Sequence, residues 1–68
     1  MMKVKFVAAK SSSVYPDLTD GKVYEVENTI DFDVDGVTER RYLIMDDDVS
    51  EFADLTPYEI SVFEVVEG

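Results

Sequence analysis

Ile30-Asp31-Phe32-Asp33-Val34-Asp35-Gly36-Val37-Thr38-Glu39-Arg40-Arg41 is the stretch on which the fold turns. Asp-Gly between alternating residues favours a two-residue type I′ turn, because both central positions need positive φ. That turn sets Val34 opposite Val37, Phe32 opposite Glu39, Asp31 opposite Arg40 and Ile30 opposite Arg41. Asp31 facing Arg40 is a favourable cross-strand pair, worth roughly 0.2–1 kcal/mol. Extending the ladder places Asn28 beside Leu43 and Val26 beside Met45. Ile30 and Phe32 then share a face with Val26 and Val34, leaving Thr29, Asp31 and Asp33 on the other. The mixed partners predict a ribbon whose tip projects into water while its base joins the core.

Working outward, Lys22-Val23-Tyr24-Glu25-Val26-Glu27 and Tyr42-Leu43-Ile44-Met45 read as strands entering and leaving this hairpin. Asp46-Asp47-Asp48 ends the second of them, since three adjacent carboxylates favour a solvated turn. Val49 to Phe52 reads as a short return strand. Thr56-Pro57-Tyr58-Glu59-Ile60 carries the signature of one helical turn: Thr56 as N-cap, Pro57 at the first position and Glu59 three residues after the cap. Val62-Phe63-Glu64-Val65-Val66 makes a final strand. At the other end, Lys3-Val4-Lys5-Phe6-Val7-Ala8 alternates as a first strand, and Val14 to Gly21 is a long loop closed by Asp20-Gly21. Phe52, Leu55, Tyr58 and Ile60 are expected to complete the core. Residues 1–68 thus predict a single all-β domain, a small five- to six-stranded barrel with one short helical turn near Pro57–Ile60. Closing such a sheet removes exposed strand edges.

Composition narrows the function. The 68 residues hold 16 acidic and 6 basic side chains with neither Cys nor His, a formal charge of −10. Thiolate chemistry, imidazole metal sites and His-based acid–base pairs are excluded, and so is a disulfide framework. Nonspecific nucleic-acid binding needs cations in excess and is disfavoured. No apolar run reaches the length of a membrane span, so a cytoplasmic location is expected. An apolar fraction of 46% with 4 Phe and 4 Tyr favours folding over disorder.

Three constellations invite a chemical reading. Asp31-Phe32-Asp33-Val34-Asp35-Gly36 matches the opening of a calcium loop, but Thr38 and Tyr42 stand where an apolar residue and a bidentate Glu are needed. The solvent side of a hairpin explains it better, and no metal or cofactor is expected. Carboxylates are abundant, yet acid–base catalysis needs one with a raised pKa in a sheltered pocket, and Ser11, Ser12 and Ser13 have no imidazole to activate them. The chain is not expected to be an enzyme. Asp46, Asp47 and Asp48, with Glu51 and Asp54 nearby, are the densest acidic cluster. Spaced carboxylates on a rigid domain can imitate a nucleic-acid backbone and engage a basic protein. Arg41, opposite Ile30, is placed to cover apolar surface with its stem.

The order of elements resembles a Src-homology-3-like barrel. Leu18-Thr19-Asp20-Gly21-Lys22-Val23-Tyr24-Glu25-Val26 is similar to the turn and strand that follow the long first loop of that fold. Thr56 to Ile60, followed by Val62 to Val66, resembles its proline-led turn and closing strand. The Gly-Lys-Val-Tyr-Glu-Val opening and the Phe-Glu-Val-Val-Glu close are similar to short proteins of phages and prophages of Gram-positive bacteria. Peptide-binding members of the class hold proline-rich ligands in an aromatic groove. This chain has no Trp and offers Tyr15, Tyr58 and Tyr24 as groove candidates. The resemblance implies a protein-binding module acting in the host cytoplasm as an accessory or inhibitor protein. Its expected partner-binding residues are Asp46, Asp47, Asp48, Glu51, Asp54, Tyr15 and Tyr58, and its expected partner is a basic protein. The chain is expected to be a monomer or weak homodimer; the alternative function is a structural or assembly module that self-associates through a strand edge, its charge serving only solubility.

Overall fold

Alternation of polar with β-branched or aromatic residues builds five strands. In the computed structural model, which describes residues 2–48, 50 and 54–68, these are β1 (Lys3–Phe6), β2 (Val23–Val34), β3 (Val37–Ile44), β4 (Thr56–Glu59) and β5 (Phe63–Glu67). They form one sheet in the order β4-β3-β2-β1-β5, every neighbouring pair antiparallel. Single 3-10 turns at Ala8–Lys10 and Ile60–Val62 are the helical elements among the described residues.

Each strand sends alternate residues to one side, and there the core forms. Val4 and Phe6 of β1, Tyr24 and Val26 of β2, Tyr42 and Ile44 of β3 and Tyr58 of β4 are buried together with Leu18, Val62 and Phe63. Ile44, Val4 and Val62 have no exposed surface at all. Around them Phe6, Tyr15, Tyr42, Tyr58 and Phe63 meet edge to face, with ring centroids 5.6–6.4 Å apart. That geometry suits aromatic quadrupoles and adds to the burial itself.

Two turns depend on positive φ. Asp35 (φ 51°) and Gly36 (φ 80°) make the type I′ turn between β2 and β3. Gly21 (φ 81°) lies in a tight turn where Lys22 N–H donates to Thr19 O at 3.1 Å. The register that the first of these turns sets is the expected one: Val34 with Val37, Phe32 with Glu39, Asp31 with Arg40, Ile30 with Arg41 and Asn28 with Leu43.

Four expectations are corrected. The ladder shifts between Val26 and Asn28, so Val26 pairs with Ile44 rather than Met45 and Glu27 is the extra residue of a β-bulge. Because side chains alternate, one added residue exchanges the faces beyond it. Thr29, which pairs with Tyr42, continues the core side, whereas Ile30, Phe32 and Val34 leave it. Thr56–Glu59 is a strand rather than a helical turn; Tyr58 pairs with Tyr42 and Pro57 with Leu43. Pro57 sits where a missing N–H costs least, on an edge strand. The 3-10 turn starts only at Ile60, which is 39% exposed and not part of the core. Finally, the sheet is open. Its edge strands β4 and β5 are joined by Ile60–Val62 without a ladder between them, and the Val62 carbonyl accepts from Val7 N–H at 2.9 Å instead. The return strand expected at residues 49–52 and the core role of Phe52 lie outside the described residues.

Candidate functional site

The loop after β3 carries the acidic cluster, and its first two carboxylates turn inward. Buried tyrosine hydroxyls need partners. Tyr58, on β4, donates to Asp46 at 2.5 Å. Tyr24, on β2, donates to Asp47 at 2.9 Å and itself accepts from Thr19 N–H at 2.8 Å. Asp47 also accepts from the Thr19 hydroxyl at 2.7 Å and from the Lys22 ammonium. Its own N–H donates to the Asp17 carbonyl at 2.9 Å, so the loop is pinned to the turn before β2.

The electrostatics follow from these contacts. The Lys22 ammonium, then the Thr19 and Tyr24 hydroxyls, hold the Asp47 carboxyl down at about 2. Burial, reinforced by the adjacent Asp46, pushes the Tyr58 phenol up. Burial likewise raises Tyr24, and it raises Tyr15 with help from Glu59. These phenols therefore stay protonated, and those of Tyr24 and Tyr58 remain donors to Asp47 and Asp46.

The expected site thus divides. Asp46 and Asp47 serve the fold. Tyr58 and Tyr24 are buried, and Tyr15 is half-buried, packed edge to face against Phe6 and Tyr58. Asp48 and Asp54 are exposed. Asp48 accepts from Ser50 N–H at 3.0 Å and Asp54 from Leu55 N–H at 2.8 Å, contacts that shape the loop and leave each carboxylate open to water. Glu51 lies outside the described residues. Asp17 and Asp20, also exposed, lie on the segment before β2 to which the Asp47 N–H ties this loop, and Asp20 accepts from Ala8 N–H at 3.0 Å; these two loops are the acidic zone.

A second zone was hidden by the bulge. On the ribbon beyond it, Asp31 pairs with Arg40 at 3.0 Å and Asp33 accepts from the Thr38 hydroxyl at 3.0 Å, both on the face of Tyr42. The opposite face carries exposed apolar side chains, Phe32 39%, Val34 45% and Val37 62% exposed, beside Glu39 and Arg41. The Arg41 guanidinium lies 5.5 Å from the Phe32 ring centroid. Beside it an open recess of about 250 Å³ is lined by Glu39, Arg41, Glu59, Ile60 and Ser61. The signal for this face was present in Ile30, Phe32 and Val34; what could not be read was the residue that turns them outward.

Every basic side chain has an acidic partner. Lys3 pairs with Glu67, Lys5 and Lys10 with Glu64, Lys22 with Asp47, Arg40 with Asp31 and Arg41 with Glu39. Exposed pairs of this kind contribute little stability, about 0–1 kcal/mol each. Their consequence is for the field, because the surplus carboxylates have no internal counter-charge. Among the described residues no group of three or more carboxylates is placed to hold a metal ion. No helix among them is long and apolar enough to cross a membrane. Compared with protein-family models, curated proteins and solved structures, the chain matches none.

Proposed function

We propose that the protein is a noncatalytic acidic module that binds a basic protein. One observation carries this reading: all 6 lysines and arginines are already engaged by carboxylates. The formal charge of −10 is therefore carried by carboxylates beyond those pairs, among them the exposed Asp17, Asp20, Asp48 and Asp54. Such a field accelerates encounter with a positive surface and selects against negative ones. Mimicry of a nucleic-acid backbone by the loop carboxylates Asp17, Asp20, Asp48 and Asp54 is the form this recognition takes, in a phage or prophage accessory protein that inhibits its target. The element order supports a relationship to the Src-homology-3-like class: a long first loop, a central hairpin, a short proline-bearing strand, a 3-10 turn and a closing strand.

The test is affinity capture from a Gram-positive lysate at low and high salt, read by mass spectrometry. A basic protein retained at low salt and released at high salt is expected, with Asp48→Asn/Asp54→Asn weakening its retention. Asp46 and Asp47 are left unchanged because they hold Tyr58 and Tyr24. Retention that ignores salt overturns the reading. So does recovery of the bait alone with a dimer by light scattering, which is the result expected of a self-associating assembly module.

A further inference from the structure

Beyond Val26 the ribbon has, among the described residues, no strand on its β2 side. β1 pairs with β2 only at Val23, Tyr24 and Glu25, followed by the bond from Val26 N–H to the Met2 carbonyl at 3.0 Å. Among the described residues nothing pairs with the outer edge of Thr29–Val34. An uncovered edge presents backbone N–H and C=O groups that another strand can use.

The side chains along that edge narrow what can use it. Asp31 and Asp33 stand on one face, Ile30, Phe32 and Val34 on the other, and all are exposed except Ile30, which is half-buried. A second copy is the wrong occupant. Antiparallel pairing of two β2 edges about a two-fold axis sets odd-numbered residues opposite odd-numbered ones. Registers that overlap most of the edge then bring Asp31 against Asp31 or Asp33 of the other copy, and like charges directly opposite are destabilising. The complementary strand alternates cationic and apolar residues. β2 already accepts such a strand along its first residues, for β1 reads Lys3-Val4-Lys5-Phe6, with Lys3 opposite Glu25 and Val4 opposite Tyr24.

We infer that the Thr29–Val34 edge is a strand-addition site for an extended segment of the partner in which lysine or arginine alternates with apolar residues. Its cations lie along Asp31 and Asp33, its apolar side chains along Ile30, Phe32 and Val34, and its backbone continues the line of β1. This rests on the basic-partner reading and adds to it a place and a pattern.

The experiment titrates the labelled full chain with two synthetic peptides of identical composition, one alternating lysine and valine and one with the lysines in a single block. Amide shifts are followed by NMR. The alternating peptide is expected to move the amides of Thr29–Val34 and to bind at least about tenfold tighter than its isomer. Phe32→Ser, at an exposed position, is expected to erase that preference while the fold is retained. Equal affinity of the two peptides overturns the strand site but leaves charge-driven binding standing. Shifts confined to the loops of Asp17, Asp20 and Asp48 do the same. Failure of both peptides to bind overturns the site and the basic-partner reading together. A free protein that is dimeric, with these same amides protected from exchange, replaces the partner strand with a second copy.

Discussion

The base of the sheet and the ribbon use the same residue types to opposite ends. At the base, aspartates are drawn in: Asp46 and Asp47 take the hydroxyls of Tyr58 and Tyr24, and the apolar side chains of β2 and β3 meet across a core where Ile44 is wholly buried. Along the ribbon, aspartates stand in water, and the apolar side chains point away from that core. The bulge at Glu27 separates the two regions. What the contrast teaches is that neither charge nor hydrophobicity assigns a residue to stability or to binding. Strand parity relative to the core does, together with whether a buried hydroxyl needs an acceptor.

The sharpest way to break this comparison is to cut equivalent apolar side chains in each region. Ile44→Ala empties a packed position and is expected to cost about 3 kcal/mol, close to the whole stability of so small a domain. Phe32→Ala removes a half-exposed ring and is expected to cost less than about 0.5 kcal/mol. Urea unfolding of both variants checks the ratio. Comparable losses would mean that the ribbon belongs to the core after all.

Carboxylates supply the next test. Asp47→Ala orphans the Tyr24 and Thr19 hydroxyls and is expected to cost about 2 kcal/mol. Its pH dependence has a definite sign. The folded carboxyl titrates at about 2 against an ordinary value of 3.8. A depressed folded value means that the stabilisation is complete above about pH 4, falls as the pH drops through the interval, and is gone below about pH 2. The stability gap between the wild type and Asp47→Asn should therefore close on acidification over that range. Asp33→Asn, at an exposed position on the ribbon, is expected to change stability by less than about 0.5 kcal/mol.

How much of this was legible follows from where the determining signal sits. Asp35-Gly36 announces both its turn and the register of the strands beside it, since a two-residue turn leaves the pairing no freedom. Nothing in Val26-Glu27-Asn28 announces a bulge: there is no glycine, and the extra residue is accommodated by pairing with a distant strand. Thr56-Pro57-Tyr58-Glu59 satisfies the cap signature of a helix and the proline preference of an edge strand equally well, and the pairing of Tyr58 with Tyr42 decides between them. The Asp46–Asp48 run reads as solvated because its partners, Tyr24 and Tyr58, are remote in sequence. A tyrosine in a buried strand does, however, imply a polar partner, and that was the available clue to Asp46 and Asp47.

The smallest expected effect tests whether the two regions are also separate in their opening. Gly36 has φ 80°, and a Cβ placed there meets nothing within 4 Å, so Gly36→Ala brings backbone strain without a clash. That strain is about 1 kcal/mol. An isolated two-stranded hairpin is marginally stable at best, and from Asp31 to Arg40 this one has, among the described residues, neither a third strand nor a buried side chain. The ribbon should therefore open locally, well below the free energy of global unfolding. If so, amides of Thr29–Arg40 should exchange about fivefold faster in Gly36→Ala and, in both proteins, with a clearly smaller opening free energy than those of Val4, Val26 and Ile44. Equal opening free energies throughout the sheet would show that ribbon and base open as one unit. The strand edge inferred above would then be held rigid by the core, and the ordering of a ribbon on binding would contribute nothing to its recognition of a partner.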